Sequence, residues 1–171
     1  MPENQRLFIA LFPPPALRTA LHEIALQRQT CLGGRVMPAA NLHLTLAFLG
    51  MTPTASMPAI LDVLRQASTL DCTLALDTLG TFANGGIVWA GCRHIPDTLN
   101  EYAANLRSAL AGKAIVFDNK PFCPHITLLR KATVCDAPIE PAIEWQPAAA
   151  QLCISRSTAD GSVYQVVSSC P

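Results

Sequence analysis

The chain is 171 residues long, half hydrophobic and 14% charged, with twelve basic and twelve acidic residues. That balance excludes a disordered polymer, which needs low hydrophobicity and high net charge. It also argues against a surface that wraps long nucleic acid, because such proteins carry a basic excess to neutralise phosphates. A small or terminal nucleic-acid ligand held in a local basic cleft remains compatible with zero net charge.

Arg6–Phe12 is apolar, rich in strand formers and stopped by Pro13, Pro14 and Pro15, which predicts a first strand. Its apolar run, Leu7 to Phe12, is too short for a signal-peptide core. No uncharged apolar stretch reaches the roughly 18–20 residues of a membrane span. Leu17, Leu21, Ile24 and Ala25 recur at helical spacing, and Gly33, Gly34 and Pro38 mark the loop that ends this unit. His22 falls on the polar face of that helix and reads as a solvated residue. Asn41–Gly50 alternates with a period of two and stops at glycine, a strand pattern.

A second helix is expected over Met57 to Ser68, with Ile60, Leu61, Leu64 and Ala67 on one face. Cys72–Leu79 and Gly86–Gly91 read as strands around a turn at Asn84, Gly85 and Gly86. Pro96 to Ala111 has the spacing of a third helix that buries Leu99, Ala103, Leu106 and Leu110. Short strands are expected at Ile115–Phe117 and Cys123–Leu129. The last two, Gln151–Ser155 and Val163–Ser168, are separated by a turn at Asp160 and Gly161. Strands outnumber helices and no low-complexity linker divides the chain, so residues 1–171 read as one α+β domain.

The seven cysteines, at 31, 72, 92, 123, 135, 153 and 170, form no Cys-x-x-Cys pair and read as reduced, mostly buried thiols of a cytosolic protein. Cys123 and His125 have no second pair beside them, whereas structural zinc takes four ligands. No metal or other cofactor is therefore expected. His94, in the loop before Pro96, has no partner pattern and reads as structural or exposed.

One internal repeat carries chemistry. His43-Leu44-Thr45-Leu46 and His125-Ile126-Thr127-Leu128 lie 82 positions apart, and a predicted helix precedes each. Strand alternation puts His43, Thr45 and Ala47 on one face and Leu42, Leu44, Leu46 and Phe48 on the other. In the second copy His125, Thr127 and Leu129 oppose Ile126 and Leu128. By the same parity Phe48 belongs to the core, and Arg130, attractive as a phosphate ligand, points away from His125 unless the strand ends or twists after Leu129. Opening a cyclic phosphodiester with water needs one group to take a proton and another to supply one. Imidazole does either near neutral pH. A threonine two residues on, about 6–7 Å along the strand, can donate its hydroxyl to a non-bridging phosphate oxygen.

With these two tetrads the sequence resembles the 2H phosphoesterases, and within them the bacterial and archaeal RNA 2′,3′-cyclic phosphodiesterases, formerly called 2′-5′ RNA ligases. The resemblance runs through Arg6-Leu7-Phe8-Ile9-Ala10, Asn41–Gly50, Val88-Trp89-Ala90-Gly91 and Pro121–Arg130. It implies two pseudo-symmetric lobes of mainly antiparallel sheet with outer helices around a central cleft. It also implies hydrolysis of 2′,3′-cyclic phosphate ends to 2′-phosphates, with His43 as proton donor and His125 as proton acceptor. Thr45, Thr127 and Arg130 are then the substrate-binding candidates. The expected partner is an RNA or oligonucleotide end bearing a 2′,3′-cyclic phosphate, met by a monomeric cytoplasmic protein. Two other readings stay open: 2′-5′ ligation through the same histidines, and a nucleotide- or RNA-end-binding module without turnover. The family usually ends in a strand with a tyrosine and a longer apolar tail. Here Tyr164 is present and the sequence stops at Pro171, which leaves the extent of the last strand open.

Overall fold

The computed structural model describes residues 3–167. The strands are β1 (Asn4–Leu11), β2 (Arg35–Val36), β3 (Leu44–Pro53), β4 (Leu74–Phe82), β5 (Ile87–Gly91), β6 (Ile126–Arg130), β7 (Ala137–Trp145), β8 (Gln151–Thr158) and β9 (Gly161–Val167). The helices are α1 (Pro15–Leu32), α2 (Met57–Gln66) and α3 (Asp97–Gly112). Pro15 occupies the first turn of α1, where its missing N–H costs nothing, and glycine ends the helix at Gly33.

The main sheet runs β7-β4-β5-β6-β3-β1-β8-β9 with every neighbouring pair antiparallel, and β2 pairs with β6 off this path. The order is symmetric about its centre. Four strands, β3-β1-β8-β9, form one lobe, and four, β6-β5-β4-β7, form the other. They meet at a single bridge, Leu44 opposite Ile126. These are the residues that follow His43 and His125, so the sequence repeat sits on the pseudo-twofold axis.

The helices hold the seam from outside. α1, which follows β1, packs on β2 and β6, whereas α3, which follows β5, packs on β3. Each helix therefore covers the motif strand of the other lobe. Leu17 and Leu21 of α1, Leu99, Leu106 and Leu110 of α3, and Leu44, Leu46, Ile126 and Leu128 of the motif strands share one core. Each such side chain contributes roughly 1.5–3 kcal/mol of burial. All four residues expected to be buried by the third helix are buried.

Several expectations need correction. Ile115–Phe117 is not a strand: Ile115 is buried and Phe117 half-buried on a coil segment after α3. β7 and the two-residue β2 were not foreseen. Pro138 and Pro141 make the β7 sequence look broken, but β7 lies at the end of the sheet order, where prolines are tolerated. The strand expected at Asn41–Gly50 begins at Leu44 and continues to Pro53, and the one expected at Cys123–Leu129 begins at Ile126. Cysteine burial is mixed: Cys135 and Cys153 are buried, Cys72 and Cys92 half-buried, and Cys31 and Cys123 exposed, all free. His22 is not simply solvated, since its Nδ1 bonds the Met37 carbonyl at 3.1 Å and ties α1 to the segment after β2. Ser168, the expected end of the last strand, and Cys170 lie outside the described residues.

Candidate active site

Both histidines stand just ahead of their strands, where the chain is free to turn the ring inward. His43 Nδ1–H donates to the Asn41 carbonyl at 2.6 Å, and His125 Nδ1–H donates to the Cys123 carbonyl at 2.8 Å. The same backbone atom two residues upstream orients each ring, so the local geometry repeats along with the sequence. Spending Nδ1 on a carbonyl leaves Nε2 as the ring nitrogen available to other partners. His43 Nε2 accepts from the Thr45 hydroxyl at 3.0 Å.

His43, Thr45, His125 and Thr127 line one cleft of about 250 Å³, together with Arg130, Phe48, Phe8, Tyr164 and others. Simple alternation does not put Arg130 or Phe48 there. In β3, Ala47 pairs with Ile9 and Thr45 with Ala10, which skips Leu46. In β6, Leu129 pairs with Val88 and Thr127 with Trp89, which skips Leu128. Both motif strands thus carry a β-bulge directly after the threonine, which reverses the faces of the residues beyond it. Leu46 and Ala47 are both buried, as are Leu128 and Leu129, and the next residue in each copy returns to the threonine face. That residue is Phe48 in one lobe and Arg130 in the other. Phe48 is therefore a wall of the cleft and not core, while Ala47 and Leu129 belong to the core and not to the histidine face.

The skipped carbonyls are not left bare. Arg107 Nε on α3 donates to the Leu46 carbonyl at 3.0 Å, and the Met37 N–H donates to the Leu128 carbonyl at 2.9 Å. Gly34, at φ +78, permits the close approach of this chain segment to β6, because a Cβ there would lie 2.5 Å from the Arg130 carbonyl.

Aromatic rings surround both imidazoles. Phe8 lies 4.9 Å from His43 between centroids and Tyr164 stands edge-on at 5.2 Å. Phe82 meets His125 edge-on at 4.8 Å, with Trp89 at 6.4 Å. Trp89 fits there because Gly80 has no Cβ; one would sit 2.3 Å from the indole. Burial among these rings disfavours the imidazolium and pulls His43 down to about 4, with the charges of His125 and Arg130 adding to the effect and the Asn41 carbonyl opposing it. His125 is lowered for the same leading reason, with Arg130 adding and the Cys123 carbonyl opposing. Burial therefore favours the neutral form of both rings in the free protein.

A family model for the 2′-5′ RNA ligase superfamily matches residues 13–153. The chain belongs to this superfamily. The RNA 2′,3′-cyclic phosphodiesterase of Escherichia coli is 34% identical over 158 residues, covering 92% of this chain and 90% of its own. The protein of the same name from Thermus thermophilus is 31% identical, covering 95% of this chain and 87% of its own. A crystal structure of E. coli LigT complexed with 3′-AMP superposes with a TM-score of 0.87 at 32% identity, covering 96% of each chain. The superfamily fold thus accounts for the lobed, mainly antiparallel architecture. Among the described residues, no helix is long and apolar enough to cross a membrane. Nor do three His, Cys, Asp or Glu side chains converge there as a metal set would.

Arg6 and Phe8 of β1 were not singled out as site residues on sequence, and both line the cleft. Their spacing of two along a strand was a signal, but only the pairing of β1 with β3 shows which face it serves.

Proposed function

We propose that this protein hydrolyses 2′,3′-cyclic phosphate ends of RNA to 2′-phosphates. The observation that carries the reading is the convergence of His43, His125, Thr45, Thr127 and the guanidiniums of Arg6 and Arg130 on a single cleft, with each ring held through Nδ1 so that Nε2 is left for the chemistry. The names of the relatives support it independently. In this mechanism His125 Nε2 takes a proton from water as the water oxygen bonds to phosphorus. The bond from phosphorus to the ribose 3′-oxygen breaks, and His43 Nε2–H protonates that oxygen. The products are a 2′-phosphate and a free 3′-hydroxyl. His125 leaves the cycle protonated and His43 neutral, and exchange with solvent resets them.

The phosphate itself prepares the acid. An anion between the rings favours the imidazolium that burial disfavours, so His43 gains its proton as substrate binds. Thr45, released from His43 Nε2, and Thr127 donate to the non-bridging oxygens, and Arg130 neutralises the charge that builds on them. Thr45→Val and Thr127→Val should each lower kcat/KM by about tenfold or more. An unchanged kcat/KM in both variants would remove the hydroxyls from the mechanism.

The chemistry closes on side chains alone, so activity in excess chelator should equal activity without it. Loss on chelation, with recovery on adding a divalent ion, would overturn this metal-free mechanism. The deciding experiment is product identity from cyclic-phosphate-ended RNA: 2′-phosphate is expected, and 3′-phosphate would reverse the direction of attack. Joined 2′-5′ product in the presence of 5′-hydroxyl RNA would mark ligation through the same site, and binding without turnover would mark a recognition module. The free thiols of the six described cysteines fit a reducing compartment such as the cytoplasm.

A further inference from the structure

The histidine cleft adjoins a second one, of about 400 Å³, whose residues other than Arg130 have no role in the chemistry above. The two share Arg6, Arg130, Asn41 and Tyr164, among others, so a ligand can run from one into the other. Arg35 belongs only to the second. Its placement is set by the fold: β2 pairs with β6 so that Arg35 lies directly opposite Arg130. Like charges facing each other across an antiparallel pair destabilise it. The guanidinium of Arg35 reaches toward the β8–β9 turn, its Nη1 3.6 Å from where a Cβ on Gly161 would sit. Asn41 Nδ2–H donates to the Ser162 carbonyl at 2.7 Å and so fixes that hairpin beside the lead-in to His43.

The charges in this second cleft are unbalanced. Arg6, Arg35 and Arg130 contribute three guanidiniums, and Asp160 is the one carboxylate lining it. The ion pairs found among the described residues, Arg65 with Asp62 and Lys120 with Asp118, involve none of them. A protein with zero net charge thus concentrates unpaired positive charge at one place, next to the cleft where the cyclic phosphate would react. A second anion, one nucleotide from the first, satisfies this arrangement and relieves the repulsion between Arg35 and Arg130.

We infer that the Arg35 cleft binds the phosphodiester on the 5′ side of the terminal nucleotide, so that an oligonucleotide end is preferred over a mononucleotide. This rests on the hydrolase reading above. Arg35 touches no reacting atom; it holds the strand and sets the preference for length.

Three probes test it: uridine 2′,3′-cyclic phosphate, a uridine trinucleotide ending in the cyclic phosphate, and the same trinucleotide with a neutral methylphosphonate at its last linkage. For the native protein, kcat/KM should be highest on the charged trinucleotide. Arg35→Ala should cut that value by at least about tenfold, chiefly through KM, while leaving the mononucleotide within about twofold. Arg35→Lys should restore part of the loss. On the methylphosphonate, Arg35→Ala should have no further effect, because the group it would contact is gone. The salt dependence of trinucleotide KM should lose about 0.7 in log–log slope in the variant. Equal losses on mononucleotide and trinucleotide, or no loss on the trinucleotide, would overturn the inference. If the native protein opened neither cyclic phosphate, the hydrolase reading would fall. The Arg35 cleft would then be judged by equilibrium binding of the charged and methylphosphonate trinucleotides, which Arg35→Ala must bring to equality.

Discussion

His43→Ala and His125→Ala should each slow opening of a nucleoside 2′,3′-cyclic phosphate by about 10²–10⁴, and a good leaving group should separate the two. With a phosphodiester whose departing group is a nitrophenolate, no proton is needed on the leaving oxygen. His43→Ala should then regain most of its lost rate. His125→Ala should stay slow, because water must still be activated. The structure gives the assignment a physical basis beyond the family pattern. His43 is the ring pulled down to about 4, and a low pKa makes a weak base but a ready donor once an anion has brought in its proton. Its Nε2 also already holds the Thr45 hydroxyl, so a phosphate oxygen entering there meets donor and acid together. Rescue of His125→Ala by the nitrophenolate ester would reverse the roles. If neither substitution slowed the natural reaction, both histidines would be ordinary residues leading into their strands.

The second large effect is on pH. The productive form needs His43 protonated and His125 neutral, so both kcat/KM and kcat should be bell-shaped. Their positions should differ. Because kcat/KM reports the free protein, where burial lowers both imidazoles below 6.5, its alkaline limb should begin below pH 6.5. Beyond it the value falls tenfold per unit. By contrast kcat reports the complex, where a bound phosphate anion favours the charged form of both imidazoles and raises them, and its alkaline limb should lie higher. The limbs belong to the coupled pair and not to single residues. Inorganic phosphate should likewise raise the imidazole titrations followed by NMR. A rate that climbs steadily to pH 9 would mean that the acid is not a histidine. Coincident limbs for kcat and kcat/KM would mean that bound phosphate does not recharge the site.

The sequence by itself determined the chemical inventory and the symmetry. A two-residue period is a local property of a strand, so the His-x-Thr tetrads, their apolar opposite faces and the 82-residue repeat were legible without coordinates. The buried positions of α3 were legible for the same reason, because helical spacing is also local. What only the tertiary structure decided is where alternation stops. The bulges at Leu46 and Leu128 are defined by the partners β1 and β5, and their skipped carbonyls are satisfied by Arg107 and Met37, from α3 and the segment after β2. No local pattern encodes such a partner. Hence Phe48 read as core and Arg130 as pointing away, when both turn into the cleft. β7 stayed hidden because its prolines signal a break, and only a place at the edge of the sheet makes them harmless. The low His43 value has the same origin: Phe8 and Tyr164 stand beside the ring only once β1, β8 and β9 have assembled around it, and it is their exclusion of water, not the histidine's neighbours in sequence, that keeps the imidazole neutral.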